Sequence, residues 1–153
     1  MELSNVLRED AIIMDIKSKD KDSIIEELID SLKEKNIISC GDSFKKSVIA
    51  REKLGSTGIG KGIAIPHGKV QGLDEVVLSL GLSKTGVDFD ALDDKKVHCI
   101  FLIGASPEKS SGYLQVLAKL SRMVRYPEFR DKLINSKNPK DVIDIILNYE
   151  QNE

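Results

Sequence analysis

Of the two histidines in the chain, His67 is the one placed to do chemistry. It sits in Gly60-Lys-Gly-Ile-Ala-Ile-Pro-His-Gly68, between a proline and a glycine. Pro66 fixes its own φ and biases Ile65 toward extended backbone, so the approach to His67 is stiff. Gly68, without a side chain, is expected to leave open space for a bulky group on the ring. A metal site needs three or four ligands, and the sequence offers no His-x-x-x-His pair or Cys/His cluster. A serine-type triad needs an activated serine, and there is no Gly-x-Ser-x-Gly. Phosphorylation of an imidazole nitrogen asks for less. It needs a neutral nucleophilic nitrogen, a hydrogen bond that fixes the tautomer, and donors for the phosphoryl oxygens. The glycine-rich backbone upstream can offer N–H donors, with Ser56, Thr57, Gly58 and Gly60 as orienting candidates, and Arg51 offers a planar fork for phosphate. Residue types alone leave plainer roles open: a structural histidine in a turn, and an exposed arginine on a helix with a surface ion pair. His98 lies inside the apolar run Val97-His-Cys-Ile-Phe-Leu-Ile103 and reads as a packed imidazole satisfied by a neighbour.

Gly55-Ser-Thr-Gly-Ile-Gly60-Lys61 also fits G-x-x-x-x-G-K, the outline of a nucleotide-binding P-loop. That chemistry needs Ser or Thr next, to hold magnesium, and Gly62 stands there instead. A P-loop follows a buried strand and opens a helix. Here a charged helix end, Val48 to Leu54, comes before, and a short β-like run closed by Pro66 comes after. Nucleotide binding is therefore the weaker use of these glycines.

The elements that must hold His67 follow from periodicity. Residues 11–16 are rich in β-formers and predict a first strand. Over 20–36, Ile24, Ile25, Leu28, Ile29 and Leu32 share one helical stripe. A second helix is expected from about Asp42 to Lys53, capped by Asp42 or Ser43, with Phe44 and Val48 one turn apart. Residues 63–65, 76–82 and 97–103 read as strands, the last nearly all apolar, as for a central strand covered on both faces. Leu114, Leu117, Ala118 and Ser121 mark a helix that Pro127 ends, and Pro127 can open a short helix through Phe129 and Leu133. Asn138-Pro139 reads as cap and first turn of a final helix bearing Val142, Ile143 and Ile146, with a polar, frayed tail over 149–153. No repeat or linker is evident. The expectation is one α/β domain over 1–153.

With 153 residues the chain can bury roughly two-thirds of its unfolded surface. A net charge of −2, and Lys45-Lys46 as the short basic pair, argue against a nucleic-acid partner. Cys40 and Cys99 form no Cys-x-x-Cys unit, so a reduced setting is expected. The N-terminus lacks the layout of a signal peptide, and the longest apolar run is far short of the roughly 20 residues that span a bilayer. The expected location is the cytoplasm, without direct membrane insertion.

The segment from Arg51 to Gly68, with its Ser-Thr-Gly-Ile-Gly and Ile-Pro-His-Gly blocks, resembles the active-site signature of the fructose/mannitol-type IIA domains of the bacterial sugar phosphotransferase system, a family that includes a nitrogen-regulatory branch. The resemblance continues through Gly86–Asp93, Val97–Ile103, Leu114–Leu120 and Pro127–Arg130. It implies an α/β fold in which a small mixed β-sheet has helices on both faces. It implies that His67 accepts a phosphoryl group from the carrier HPr and passes it to a IIB component, and through that to a membrane IIC component. Arg51 matches the arginine that pairs with the phosphoryl group. No metal and no cofactor is implied. Many members carry a second histidine just before the Leu-x-x-Leu-Ala helix, where this chain has Tyr113. A tyrosine hydroxyl can donate one hydrogen bond but no positive charge. Gly-Val-Asp-Phe-Asp-Ala-Leu resembles the fructose-type branch; the alternative is a nitrogen-regulatory protein that acts through phosphorylation-dependent binding.

Overall fold

The computed structural model describes residues 2–151, and its core is a six-stranded mixed sheet. The short helix α1 (Leu3–Val6) leads into β1 (Leu7–Ile13). Two helices follow, α2 (Lys21–Glu34) and α3 (Gly41–Lys53). Three short strands come next: β2 (Gly58–Gly60), β3 (Ile63–Ala64) and β4 (His67–Lys69). The long strands β5 (Val77–Val87) and β6 (Val97–Ala105) precede a 3-10 turn over Pro107–Lys109 and the helices α4 (Ser110–Met123), α5 (Pro127–Ile134) and α6 (Pro139–Gln151).

Strand order is β1-β5-β6-β3-β2, and β4 also pairs with β6. β5 and β6 are antiparallel, whereas β1 runs parallel to β5, and β3 and β4 run parallel to β6. β6 has neighbours on both edges and helices over both faces, so every residue in it except His98 is buried. The faces can be assigned from register. Gly81 pairs with Ile100, and a Cβ on Gly81 would meet Ile16 and Leu28, so that face lies under α2. Cys99 points the other way, close enough to Arg130 of α5 for its thiol to feel the guanidinium charge. The sheet thus has helices on both sides, as the resemblance implies.

Local rules account for the helices. Asp20 caps α2 by accepting from the Ser23 N–H at 3.0 Å, and the stripe Ile24, Ile25, Leu28, Ile29, Leu32 is buried. Asn138 caps α6 by accepting from the Asp141 N–H at 2.9 Å. Several boundaries differ from expectation. β1 starts at Leu7 and stops at Ile13 rather than covering 11–16, since the sheet accepts the charged run Arg8-Glu9-Asp10 on its edge strand. β5 continues past residue 82 to Val87. α3 begins at Gly41 with Cys40 in the cap position, and neither Asp42 nor Ser43 caps it. The segment 149–151 is not frayed. It is helical, Tyr149 sets its ring edge-on to Phe129 with centroids 5.0 Å apart, and Glu150 accepts from the N–H groups of Leu3 at 2.6 Å and Ser4 at 2.9 Å. Residues 152 and 153 lie outside the described residues.

Candidate functional site

β3 and β4 lie along the same edge of β6 and read as one strand broken at a proline. Ile63 and Ala64 pair with Cys99 and Ile100, and His67, Gly68 and Lys69 pair with Ile103, Gly104 and Ala105. Pro66 has no N–H to give the ladder, yet its carbonyl still accepts from the Ile103 N–H at 3.0 Å. The break frees the Ile65 carbonyl, which lies 2.8 Å from Nδ1 of His67. A carbonyl oxygen only accepts, so Nδ1 is the donor in this contact, and Nε2 has no hydrogen-bond partner among the described residues. His67 therefore begins a strand rather than sitting in a turn, half-buried, with its tautomer set by backbone.

Side chains alternate along β4, so His67 and Lys69 share one face and Gly68 takes the other. The space beside Gly68 is filled, against the expectation of room for a bulky group: an added Cβ would lie 2.7 Å from Ser47 Oγ and 3.0 Å from Val48 Cγ2. Gly104, its register partner, faces Phe44 in the same way. Two adjacent glycines thus form the floor on which α3 rests. What Gly68 supplies is close approach of a helix, and His67 is turned to the opposite side.

There its ring meets Tyr113 in the first turn of α4, edge to face with centroids 5.8 Å apart. Burial pushes the Tyr113 phenol up to about 12, with the charge of Arg51 opposing the shift. Tyr113 is therefore a neutral hydroxyl donor at physiological pH. Arg51, at the end of α3, holds the carbonyl of Gly55 through Nη1 at 2.9 Å and is half-buried. The Arg51 charge thus reaches the Tyr113 phenol, and the Tyr113 ring meets His67.

The weaker candidates are placed differently. Ser56 Oγ donates to the Phe89 carbonyl at 2.8 Å and accepts from the Gly58 N–H at 3.0 Å. Thr57 is buried, and both its hydroxyl and its N–H donate to Glu52, the latter at 3.2 Å. Gly60 has φ +96°, Lys61 +59° and Gly62 +80°, which make the tight connection between β2 and β3. A Cβ on Gly60 would lie 3.3 Å from the Asp93 carboxylate, and the Lys61 N–H donates to that same carboxylate at 2.9 Å. The glycine-rich stretch is a hairpin followed by strand, which excludes a P-loop. The described donors of Ser56, Thr57 and Gly58 hold the hairpin itself.

Two residues escape sequence reasoning. Glu52 is 5% exposed, with Lys21 Nζ at 3.0 Å. Through it Thr57 is held, the Thr57 carbonyl accepts from the Ile65 N–H at 3.0 Å, and the Ile65 carbonyl orients His67. The signal was its spacing: Phe44, Val48 and Glu52 follow i, i+4, i+8 on α3. Lys69 is the other, and alternation two residues beyond His67 would have found it. His98 is structural as expected, its Nδ1 lying 2.8 Å from the Ser83 carbonyl. Among the described residues no group of three or more His, Cys, Asp or Glu is placed to hold a metal, and no helix is long and apolar enough to cross a membrane.

Several large apolar side chains are exposed on the segments near these residues. Leu54 is 84% exposed, Leu92 74% and Leu114 60%, with Ile59 also exposed. Leu54 lies just past Arg51, Leu114 follows Tyr113, and Leu92 is bound through its N–H to the Gly58 carbonyl. Exposed large apolar side chains suit a protein partner. A separate groove between Asn5–Arg8, Asn36–Ser39 and Gly72–Leu78 includes neither His67 nor Arg51.

Comparison with known proteins bears on the family and the fold. The sequence profile described as "Phosphoenolpyruvate-dependent sugar phosphotransferase system, EIIA 2" matches residues 5–149. The chain is 32% identical, over 99% of its length, to the PTS system fructose-specific EIIABC component of Bacillus subtilis, but spans only 24% of that protein. It is 31% identical to the PTS system fructose-specific EIIA component of Haloferax volcanii, covering 82% of each chain. The crystal structure of nitrogen regulatory protein IIA-Ntr from Neisseria meningitidis superposes with a TM-score of 0.85 at 30% identity, over 94% of this chain and 98% of that one.

Proposed function

Because the chain belongs to the EIIA 2 family of the phosphoenolpyruvate-dependent sugar phosphotransferase system, we propose that it is a phosphocarrier of the fructose type, with His67 as acceptor. HPr is the proposed donor and a IIB component the proposed recipient, leading on to a membrane IIC component. The observation that carries this reading is the 2.8 Å contact between His67 Nδ1 and the Ile65 carbonyl, which leaves Nε2 as the nitrogen free to act as nucleophile.

The proposed step is an in-line displacement. As the Nε2–P bond forms, the bond from phosphorus to the donor nitrogen breaks, and that nitrogen keeps the electron pair. Nδ1 keeps its proton, still given to Ile65, so no general base is needed. Arg51 faces the phosphoryl oxygens with its planar fork, and Tyr113 donates its hydroxyl to one of them. Ser56, Thr57, Gly58 and Gly60 act by fixing the hairpin beside the acceptor. The exposed leucines seat the donor and recipient proteins, which bring the reacting atoms into line. Incubation with the general phosphotransferase enzyme, HPr and labelled phosphoenolpyruvate tests this. Acid-labile label on wild type and none on His67→Ala is expected; equal labelling of both refutes it.

A second reading is favoured by the match to a nitrogen regulatory protein at a TM-score of 0.85. In it the same phosphorylation changes which proteins bind the leucine-rich edge. Label that reaches His67 but passes to no IIB protein would select it.

A further inference from the structure

Lys69 has no role so far, and its surroundings suggest one. It shares the exposed face of β4 with His67, their Cα atoms about 6–7 Å apart, since residues i and i+2 of a strand lie on one side. Its ammonium donates to Ser110 Oγ at 3.0 Å and lies 5.2 Å from the centroid of the Tyr113 ring. Ser110 Oγ in turn donates to the Pro107 carbonyl at 3.0 Å, so its lone pair is what receives Lys69. Among the described residues no carboxylate comes within ion-pair distance of Lys69. An exposed lysine has abundant carboxylate company in a chain with 25 acidic residues, yet this one rests on a hydroxyl and a ring. Both contacts are weak and easily exchanged.

The same aromatic ring touches both residues: Tyr113 lies edge-on to His67 and under Lys69. Tyr113 brings a hydroxyl to the site but no charge. Arg51 brings charge, but one arm of its fork is engaged with Gly55. A phosphoryl group on Nε2 arrives with nearly two negative charges, more than one partly engaged guanidinium balances.

We infer that Lys69 is a second phosphoryl-binding cation, parked on Ser110 and Tyr113 in the unmodified protein and drawn to a phosphoryl oxygen once His67 is phosphorylated. This rests on His67 being the acceptor. No proton moves: Lys69 stays an ammonium and exchanges its hydrogen bond to Ser110 for one to the phosphoryl oxygen. The reach is within a lysine's four-carbon stem, and its rotatable ammonium suits an acceptor whose oxygens change place during transfer.

The test uses the full chain, phosphorylated from phosphoenolpyruvate by the general enzyme and HPr, with the phosphorus resonance of the phosphohistidine followed across pH. A nearby cation favours the dianion, so Lys69→Gln should raise the phosphoryl titration midpoint by about half to one unit. Labelling should slow about five- to tenfold, Lys69→Arg should recover most of both, and added salt should narrow the gap. The thermal midpoint should not move, because Lys69 is exposed. A Lys69→Gln midpoint equal to wild type, with unchanged labelling, overturns the role of Lys69 and leaves His67 as acceptor. If wild type gives no phosphohistidine resonance at all, the acceptor assignment fails, and the role of Lys69 with it.

Discussion

Glu52 accepts from both the N–H and the hydroxyl of Thr57, and the same carboxylate meets Lys21 Nζ at 3.0 Å. A glutamate in the last turn of α3 thereby ties α2 to the hairpin that precedes His67. Removing one member of a buried, hydrogen-bonded pair is costly because its partners stay behind unsatisfied. Glu52→Ala should therefore lose about 3 kcal/mol in urea unfolding. Glu52→Gln should lose less, since an amide oxygen still accepts from Thr57. Glu52→Ala unfolding within about 0.5 kcal/mol of wild type would mean that the carboxylate is not part of the core.

Gly68→Ala places a methyl group 2.7 Å from Ser47 Oγ and 3.0 Å from the backbone nitrogen of Val48. The serine can rotate away, but the helix backbone cannot. A loss of about 1–3 kcal/mol is expected, together with slower labelling of His67, since β4 is the element that carries the ring. Unchanged thermal unfolding would show that α3 is free to retreat.

Tyr113 links stability to alkaline pH. Its phenol rises from 10.0 to about 12 on folding, so the unfolded chain loses this proton first. Stability is then fully present below pH 10 and falls as pH rises toward 12. Between pH 9 and 11 this group alone should remove about 1 kcal/mol. Cys99 acts in the same sense, its thiol pushed from 9.0 up to about 12 by burial. The comparison is therefore Tyr113→Phe against its parent in a Cys99→Ala background, by denaturant unfolding at several pH values. Parallel curves would remove Tyr113 from the linkage.

The two cysteines should also separate chemically. Cys99 is fully buried on β6, whereas Cys40 is half-buried at the start of α3. A thiol reagent at neutral pH should modify Cys40 in the native protein and both thiols after unfolding, because the thiolate is the reactive species. Fast modification of Cys99 in the native protein would contradict the packing of the central strand.

Most periodic elements were legible in the sequence because their physics is local, although α4 buries Tyr113, Val116 and Leu120 rather than Leu114, Ala118 and Ser121. The stripe from Ile24 to Leu32 with its Asp20 cap, and the Asn138-Pro139 start of α6, need only neighbours in the chain. The start of β1 was not, because Arg8, Glu9 and Asp10 look unlike a strand until an edge position in the sheet accommodates them. His67 and Arg51 could be singled out by residue type, and Tyr113 through resemblance. Glu52 carried a signal only in its spacing from Phe44 and Val48: within Arg-Glu-Lys it looks solvated, and the folded chain brings Lys21 and Thr57 around it. Gly68 failed for the same reason, since its tight neighbour belongs to a helix more than a dozen residues earlier.

Glu150 closing on Leu3 and Ser4 has a mechanical consequence. It joins α6 to α1 against β1, the sheet edge opposite β4. The first and last described helices therefore meet on one rim of the sheet. His67 lies three strand spacings, about 14 Å, from that rim. The paired ends thus load the sheet edge away from the histidine, so strain applied to α1 or α6 passes through β1 and β5 before it reaches the strand that carries the imidazole.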